Sequence, residues 1–316
     1  MTSRIWIFTL LMTLAGGSLH AQQDVQFTQY MNNRIFFNPG MAGSSEAISL
    51  NSGHRSQWVG FDNAPVTQNI NVELPVDKLH GGILLNITND QIGFFQDISA
   101  ALGYAYQMNL GMGTLGLGLS VDFRNKNVRN ALWIYPENGN DPAVFNPTAS
   151  AMAPELNFGS YYSTENWFVG LSSNRLLQGA QSLSSVTGGT ARYRSVMHYY
   201  LMGGYRFDLP SIGISLQPTT LLKTDISSGN LHGDFNINAV IRDKIYAGLG
   251  FRTQDAYSLM AGYQIMPSLR LTYSYDITTS ELAGFSGGSH EVFVNYQFTI
   301  EIPPRINGSY RNVRFL

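Results

Sequence analysis

Along most of the chain, apolar and polar residues alternate one by one. Leu115, Leu117, Leu119, Val121 and Phe123 interleave with Gly116, Gly118, Ser120, Asp122 and Arg124. Leu269, Leu271, Tyr273, Tyr275 and Ile277 interleave with Ser268, Arg270, Thr272, Ser274 and Asp276. Val292, Val294, Tyr296 and Phe298 alternate with Glu291, Phe293, Asn295 and Gln297, and Phe235, Ile237, Ala239 and Ile241 with Asp234, Asn236 and Asn238. Side chains of a strand point alternately to its two faces, so each run predicts a strand with one apolar and one polar face. No 3.6-residue period is sustained, and after the first residues no segment has 18 consecutive apolar positions, which argues against helical membrane spans.

From about Ile48 the pattern predicts about fourteen strands of the ~9–11 residues that a tilted strand needs to cross a bilayer. Tight connections are predicted at Leu110–Gly113, Thr164–Asn166, Leu209–Ser211, Arg242–Lys244 and Met266–Ser268. Longer ones fall between them, at Asn125–Ser150, Leu176–Arg194, Thr224–Asn230 and Ser280–Ser289. Outer-membrane barrels alternate short periplasmic turns with long external loops in this way. The connection from Arg252 to Asp255 should be external yet is short, which leaves the count open by two strands. The expected fold is therefore all-β: an antiparallel transmembrane barrel with both termini in the periplasm.

A β-sandwich with one wet face would alternate similarly. Three features favour the barrel. Charged residues make up 13% of the chain, against about 25% in soluble domains. Mean hydropathy is −0.07, as expected when half of each strand meets lipid and half a polar lumen. The chain also opens with a leader: Arg4, an apolar run Ile5–Leu14, and Leu19-His20-Ala21 as the cleavage site before Gln22. The division expected is a signal peptide over 1–21, an N-terminal docking or plug segment over 22–46, the barrel over 47–300 and a basic periplasmic tail over 301–316. There is no cysteine, which rules out a lipoprotein anchor, disulfides and thiolate metal sites. A net charge of −2 gives no basic surface for nucleic acid.

The segment before the first strand holds Phe27, Tyr30, Met31, Ile35, Phe36 and Phe37, too many apolar groups to leave in water. It is expected to dock in the lumen or under the periplasmic rim. The alternation aims Asp122, Arg124, Asp234, Arg270, Asp276 and Glu291 into the lumen, where charges of both signs can pair across the interior or grip a plug or client. The Asn125–Ser150 loop carries Trp133, Tyr135 and Phe145, which either fold into the barrel mouth or meet a partner. Leu176–Arg194 is rich in Gly, Ser and Thr and reads as flexible. Trp58, near the top of the first strand with Arg55 and Gln57, is either an interfacial anchor or shapes the first loop.

Nothing in the chain points to catalysis or a cofactor. His54, His80, His198, His232 and His290 are scattered, and neither HExxH nor GxSxG occurs. Ser195 and His198 stand three apart, which predicts opposite faces of one strand. Glu137-Asn138-Gly139-Asn140-Asp141 offers oxygen ligands for calcium but lacks an EF-loop pattern and reads as an Asn-Gly turn.

Four blocks carry a family resemblance: Gln26 to Gly43; Arg55-Ser56-Gln57-Trp58-Val59-Gly60; Ala64-Pro65-Val66-Thr67 with Pro75 after it; and Asn86 to Gly93, which ends on Asn89-Asp90-Gln91-Ile92-Gly93. Together they resemble the PorP/SprF family across the mature chain. Gly40-Met41 stands where Ala-Tyr is usual, and Thr28 where Ser is common, so residues 40 and 41 are assigned no particular contact. The resemblance implies a non-enzymatic barrel of the Bacteroidetes type IX secretion system in the cell outer membrane. It implies a role in export or surface attachment of cargo with a type B C-terminal domain, in some members a gliding adhesin. Implied partners are that cargo and periplasmic or peptidoglycan-associated subunits. The residues expected to serve partner binding are Phe27, Tyr30, Asn38, Pro39, Arg55, Gln57, Trp58, Trp133, Tyr135 and Phe145. By the residues alone, a passive porin or hydrophobic-solute channel is the alternative.

Overall fold

The computed structural model describes residues 24–45, 47–129, 144–225 and 229–298. The leader, Trp133, Tyr135, the Glu137–Asp141 turn and the 301–316 tail lie outside the described residues. The strands are β1 (Ile48–Ser56), β2 (Val66–Val76), β3 (Gly81–Ile92), β4 (Phe95–Leu110), β5 (Gly113–Val128), β6 (Ser150–Ser163) and β7 (Trp167–Asn174). A small hairpin follows, β8 (Ala180–Ser184) with β9 (Thr190–Arg194), then β10 (His198–Tyr205) and the short β11 (Phe207–Leu209) that continues it. The rest are β12 (Ile214–Asp225), β13 (Leu231–Ile241), β14 (Ile245–Arg252), β15 (Ala256–Met266), β16 (Leu269–Thr278) and β17 (Ser289–Phe298).

Fourteen of these strands form a closed antiparallel barrel. β7 pairs with β10 and β10 with β12, so the β8–β9 hairpin stands outside the barrel wall. β1 and β17 close the ring in a register from Ile48 opposite Phe298 to Ser56 opposite His290. Closure leaves no strand edge unpaired, which a bilayer without hydrogen-bonding solvent requires. The short Arg252–Asp255 connection is real, as is a second short one from Ile92 to Phe95, where Gly93 takes a positive φ of 58°. The count of fourteen therefore stands.

The two faces divide as the alternation predicts. Leu119, Phe123, Leu171, Ile237, Leu249 and Ile277 point outward to where lipid would lie, while Ser120, Asp122, Asn236 and Asp276 point inward. Tyr106, Trp167, Tyr205, Phe207, Tyr263 and Phe298 are exposed near the short-turn end. They form the aromatic girdle expected at a membrane interface.

Two features depart from the sequence reading. The Leu176–Arg194 stretch is largely ordered as the β8–β9 hairpin, whose Leu183 is 0% exposed and packs with Val128, Ala149 and Phe145. Gln181 donates to the carbonyls of Arg124 and Ala151 at 3.0 and 3.4 Å, tying the hairpin to the tall external parts of β5 and β6. Its Ser/Gly-rich composition concealed one alternating run, Gln181 and Leu183 against Ala180, Ser182 and Ser184. Ser195, for its part, precedes β10 rather than lying on it, so strand alternation does not apply, and both it and His198 are buried.

The apolar core lies inside the barrel. Phe27, Tyr30 and Phe37 of the N-terminal segment cluster with Tyr161, Tyr200, Met202, Leu221 and Phe293 of the wall. A lumen full of water would not tolerate those wall residues; they face inward because a second apolar surface covers them.

Candidate functional site

The candidate site is the filled lumen. Residues 24–45 run down the interior as three short turns: a 3₁₀ turn Tyr30–Asn32, helix α1 (Arg34–Phe37) and a 3₁₀ turn Pro39–Met41. Asn38, before a proline, is extended and ends α1. The Asn38 side chain then caps the last turn by accepting from the Gly40 N–H at 2.9 Å. The segment starts near the long-loop end, where Asp24 pairs with Arg175 and accepts from the Tyr200 hydroxyl. It leaves at the short-turn end, where the Gly43 N–H donates to Glu73 at 2.9 Å just before β1. Burial pushes the Asp24 carboxyl up, but Arg175, His198 and the Tyr200 hydroxyl outweigh it and hold that carboxyl well below the usual carboxylate range.

Around Thr28 the wall supplies a dense charge network. Arg55 reaches Asp276 at 2.7 Å and Glu291 at 3.1 Å, and all three side chains are at most 3% exposed. Arg252 reaches Asp234 at 2.5 Å, Asp255 at 3.1 Å and Asp276 at 3.3 Å. The segment completes the network. Backbone N–H groups of Thr28 and Gln29 donate to the two oxygens of Glu291 at 2.9 and 2.8 Å. The Thr28 hydroxyl donates to Asp276 at 2.7 Å and accepts from Arg55 at 2.9 Å and Arg252 at 3.1 Å. Asn236 donates to the Thr28 carbonyl at 3.0 Å. Buried charges are tolerated when paired and hydrogen-bonded on every side, and here the segment is one of those sides.

Below this network lies a neutral ladder of amides. Asn295 donates to Asn51 at 2.6 Å, Asn51 to Asn71 at 2.8 Å, Asn71 to Asn33 of the segment at 2.5 Å, and Asn33 to Asn69 at 3.0 Å. Asn69 donates on to Asn86 at 2.6 Å. An amide both donates and accepts, so such a chain crosses strands without leaving a charge behind. Lower still, Pro39-Gly40 lies against bare backbone. A Cβ on Gly118 would stand 2.4 Å from Pro39, one on Gly116 2.1 Å from the Gly40 carbonyl, and one on Gly159 2.0 Å from the Asn38 side chain. Gly40, given no contact from sequence, is thus in one of the closest approaches in the lumen.

All six residues predicted for the lumen point into it. Asp276, Glu291 and Asp234 join the network, Asp122 and Arg124 stand 3.7 Å apart, and Arg270 donates to Asn32 at 3.0 Å. The residues expected to meet a partner are placed differently. Phe27, Tyr30, Asn38, Pro39 and Arg55 are buried and make their contacts within the chain, because the segment that holds four of them is itself inside the barrel. Gln57 is buried at the external end. Trp58 takes a positive φ of 49° and its N–H donates to Ser289 at 3.1 Å, which shapes the first loop. Phe145 stacks edge-on with Phe95, ring centres 5.6 Å apart. Sequence reasoning missed Thr28, Arg252, Asp24 with Arg175, and the asparagines. Arg252 occupies the polar register of its strand, after Gly248 and Gly250, and the asparagines recur on polar faces, so part of the signal was present. Among the described residues no group of three or more His, Asp or Glu could hold a metal ion.

No curated protein matches the chain. Solved structures resemble it loosely. The Pseudomonas putida toluene transporter TodX superposes with a TM-score of 0.48 at 9% identity over 85% of this chain and 94% of that one. The Acinetobacter baumannii outer membrane protein Omp33 gives 0.46 at 8% identity over 81% and 100%. The KdgM porin gives 0.36 at 10% identity over 79% and 99%. At such scores the barrel rests on its own closed strand order. The sequence profile described as type IX secretion system membrane protein PorP/SprF matches residues 19–296. That span takes in the lumen segment and nearly every strand, and it places the protein in the outer membrane. The chain belongs to the PorP/SprF family of type IX secretion system membrane proteins.

Proposed function

We propose that this barrel is a non-enzymatic station of the type IX system that aids secretion or surface attachment of cargo carrying a type B C-terminal domain. The observation that carries the reading is the occupied lumen. Residues 24–45 fill it through buried aromatics, paired charges and an amide ladder, which leaves a wall suited to holding a partner rather than to passing solutes. Cargo then engages the external end, where Gln57, Trp58, Phe145 and the β8–β9 hairpin gather, while secretion subunits meet the short-turn end. Deleting the gene and following secretion and surface display of each type B cargo tests this; unchanged display of all of them would sink it. The passive-channel reading predicts steady conductance of the purified barrel in planar bilayers. The occupied lumen supports the opposite result, a conductance near baseline that rises when residues 24–45 are removed.

A further inference from the structure

Two of the arginines that face the lumen stand apart. Arg55, Arg124, Arg175 and Arg252 each have a carboxylate within 4 Å. Arg34 and Arg270 have none among the described residues. Both line a vestibule under the segment at the short-turn end, made of adjoining hollows of about 430 and about 670 Å³ that share Arg270, Asn295 and Gln297. Arg34 hangs from the underside of the segment, held over the Phe168 ring at 4.6 Å and donating to the Tyr161 hydroxyl at 2.6 Å. Its Nε is buried with no hydrogen-bond partner. Arg270 lies over the Tyr246 ring at 4.8 Å and donates only to amide oxygens, those of Asn32 and Asn295.

Both arginines are half-buried and face these hollows, and a guanidinium fork matches a carboxylate bidentately. The surrounding side chains, Asn32, Asn51, Gln217 and Asn295, can each donate and accept, which is what a peptide backbone demands. Glu73, the buried acid in the same wall, is engaged by the Gly43 and Ser45 N–H groups and also feels the Arg34 charge, while Glu165 and Asp243 line the hollows alongside Arg242 and Lys244. The chain after Phe298 carries one acidic side chain, Glu301, against Arg305, Arg311 and Arg314.

We propose that this vestibule is a binding site for an acidic peptide segment of a periplasmic protein, with Arg34 and Arg270 clamping its carboxylates and the amide side chains pairing with its backbone. The proposal extends the function above and rests on its periplasmic orientation. It is tested on the purified barrel, so its failure would leave the cargo reading, which gene deletion tests, standing.

The probe is a fluorescein-labelled hexaglutamate peptide, with hexaglutamine as its neutral counterpart, measured by anisotropy on the full chain in zwitterionic detergent at low salt. Hexaglutamate should bind at least tenfold more tightly than hexaglutamine, and Arg34→Gln with Arg270→Gln should remove that preference. Arg192→Gln, an exposed position on β9 at the external end, should leave it intact. Replacing Arg305, Arg311 and Arg314 by Gln should keep the preference. Heat-modifiable gel mobility verifies that each variant is folded. Equal binding of the two peptides would overturn the proposal. So would a preference that survives the double variant, or one lost only in the tail variant.

Discussion

Replacing Arg55 by Met tests whether the charge network holds the lumen together. Methionine keeps most of the side-chain length but withdraws the guanidinium from two carboxylates, Asp276 at 2.7 Å and Glu291 at 3.1 Å. The two are not left equally exposed to the loss. Asp276 keeps Arg252 at 3.3 Å and the hydroxyls of Ser258 and Thr28 at 2.7 Å. Glu291, 0% exposed, keeps no cation and only N–H donors from Thr28 and Gln29. Stranding one member of a buried pair costs about 3–5 kcal/mol, and most of that should fall on Glu291. Adding Glu291→Gln removes the stranded charge, so the double variant should recover about 1–3 kcal/mol relative to the sum of the single changes. Adding Asp276→Asn should recover less, since Asp276 was never stranded. Urea unfolding of the barrel in phospholipid vesicles, followed by tryptophan fluorescence, reads all of these stabilities. A cost for Arg55→Met below about 0.5 kcal/mol, the size of an ordinary surface change, would refute the reasoning. So would strict additivity with Glu291→Gln.

Three further outcomes are expected. Gly159→Leu places a side chain where even a Cβ would be 2.0 Å from Asn38; it should lift the Pro39-Gly40 turn, expose the segment to protease and raise bilayer conductance, whereas outward-facing Leu171→Ala should do neither. Asp24→Asn should destabilise the folded barrel. Because the Asp24 carboxyl is held well below its usual range, the stabilisation it gives is complete above the unfolded-state value of about 3.9 and is lost only as pH falls toward the folded-state value. The difference from Asp24→Asn should therefore be level from pH 8 to about 5 and shrink below about 4, and a difference that shrinks near neutral pH would contradict the assignment. Leu183→Ala, at a fully buried position of the β8–β9 hairpin, should cost about 2–5 kcal/mol locally; hydrogen exchange should quicken in residues 180–194 while the barrel strands stay protected.

The barrel was legible in the chain because its physics is local. A bilayer imposes one apolar face on every strand and a turn or loop every ten or so residues, and both leave a period-two signature that needs no knowledge of neighbours. Asp122, Asp234, Asp276 and Glu291 follow from the same parity. What parity gives is a direction, not a partner. Arg55 and Glu291 are 236 residues apart in the chain and meet only because β1 closes on β17. Phe293 is an aromatic ring in a polar register, and it is matched by Phe27 of the segment, whose ring centre is 5.5 Å from it; Gly53 beside it leaves the room that the ring occupies.

The sequence by itself determined which face of each strand meets lipid, the strand number to within two, and the fact that residues 27–37 must be covered, since each follows from transfer of apolar groups out of water. Only the tertiary structure decided what covers them. Closing fourteen strands creates an interior whose walls come from both ends of the chain. The segment fills that interior because its amides, carbonyls and one hydroxyl at Thr28 satisfy charges from β1, β14, β16 and β17 and an amide from β13 at once. Such complementarity belongs to no single stretch of residues, which is why the segment's place in the lumen became visible only in three dimensions.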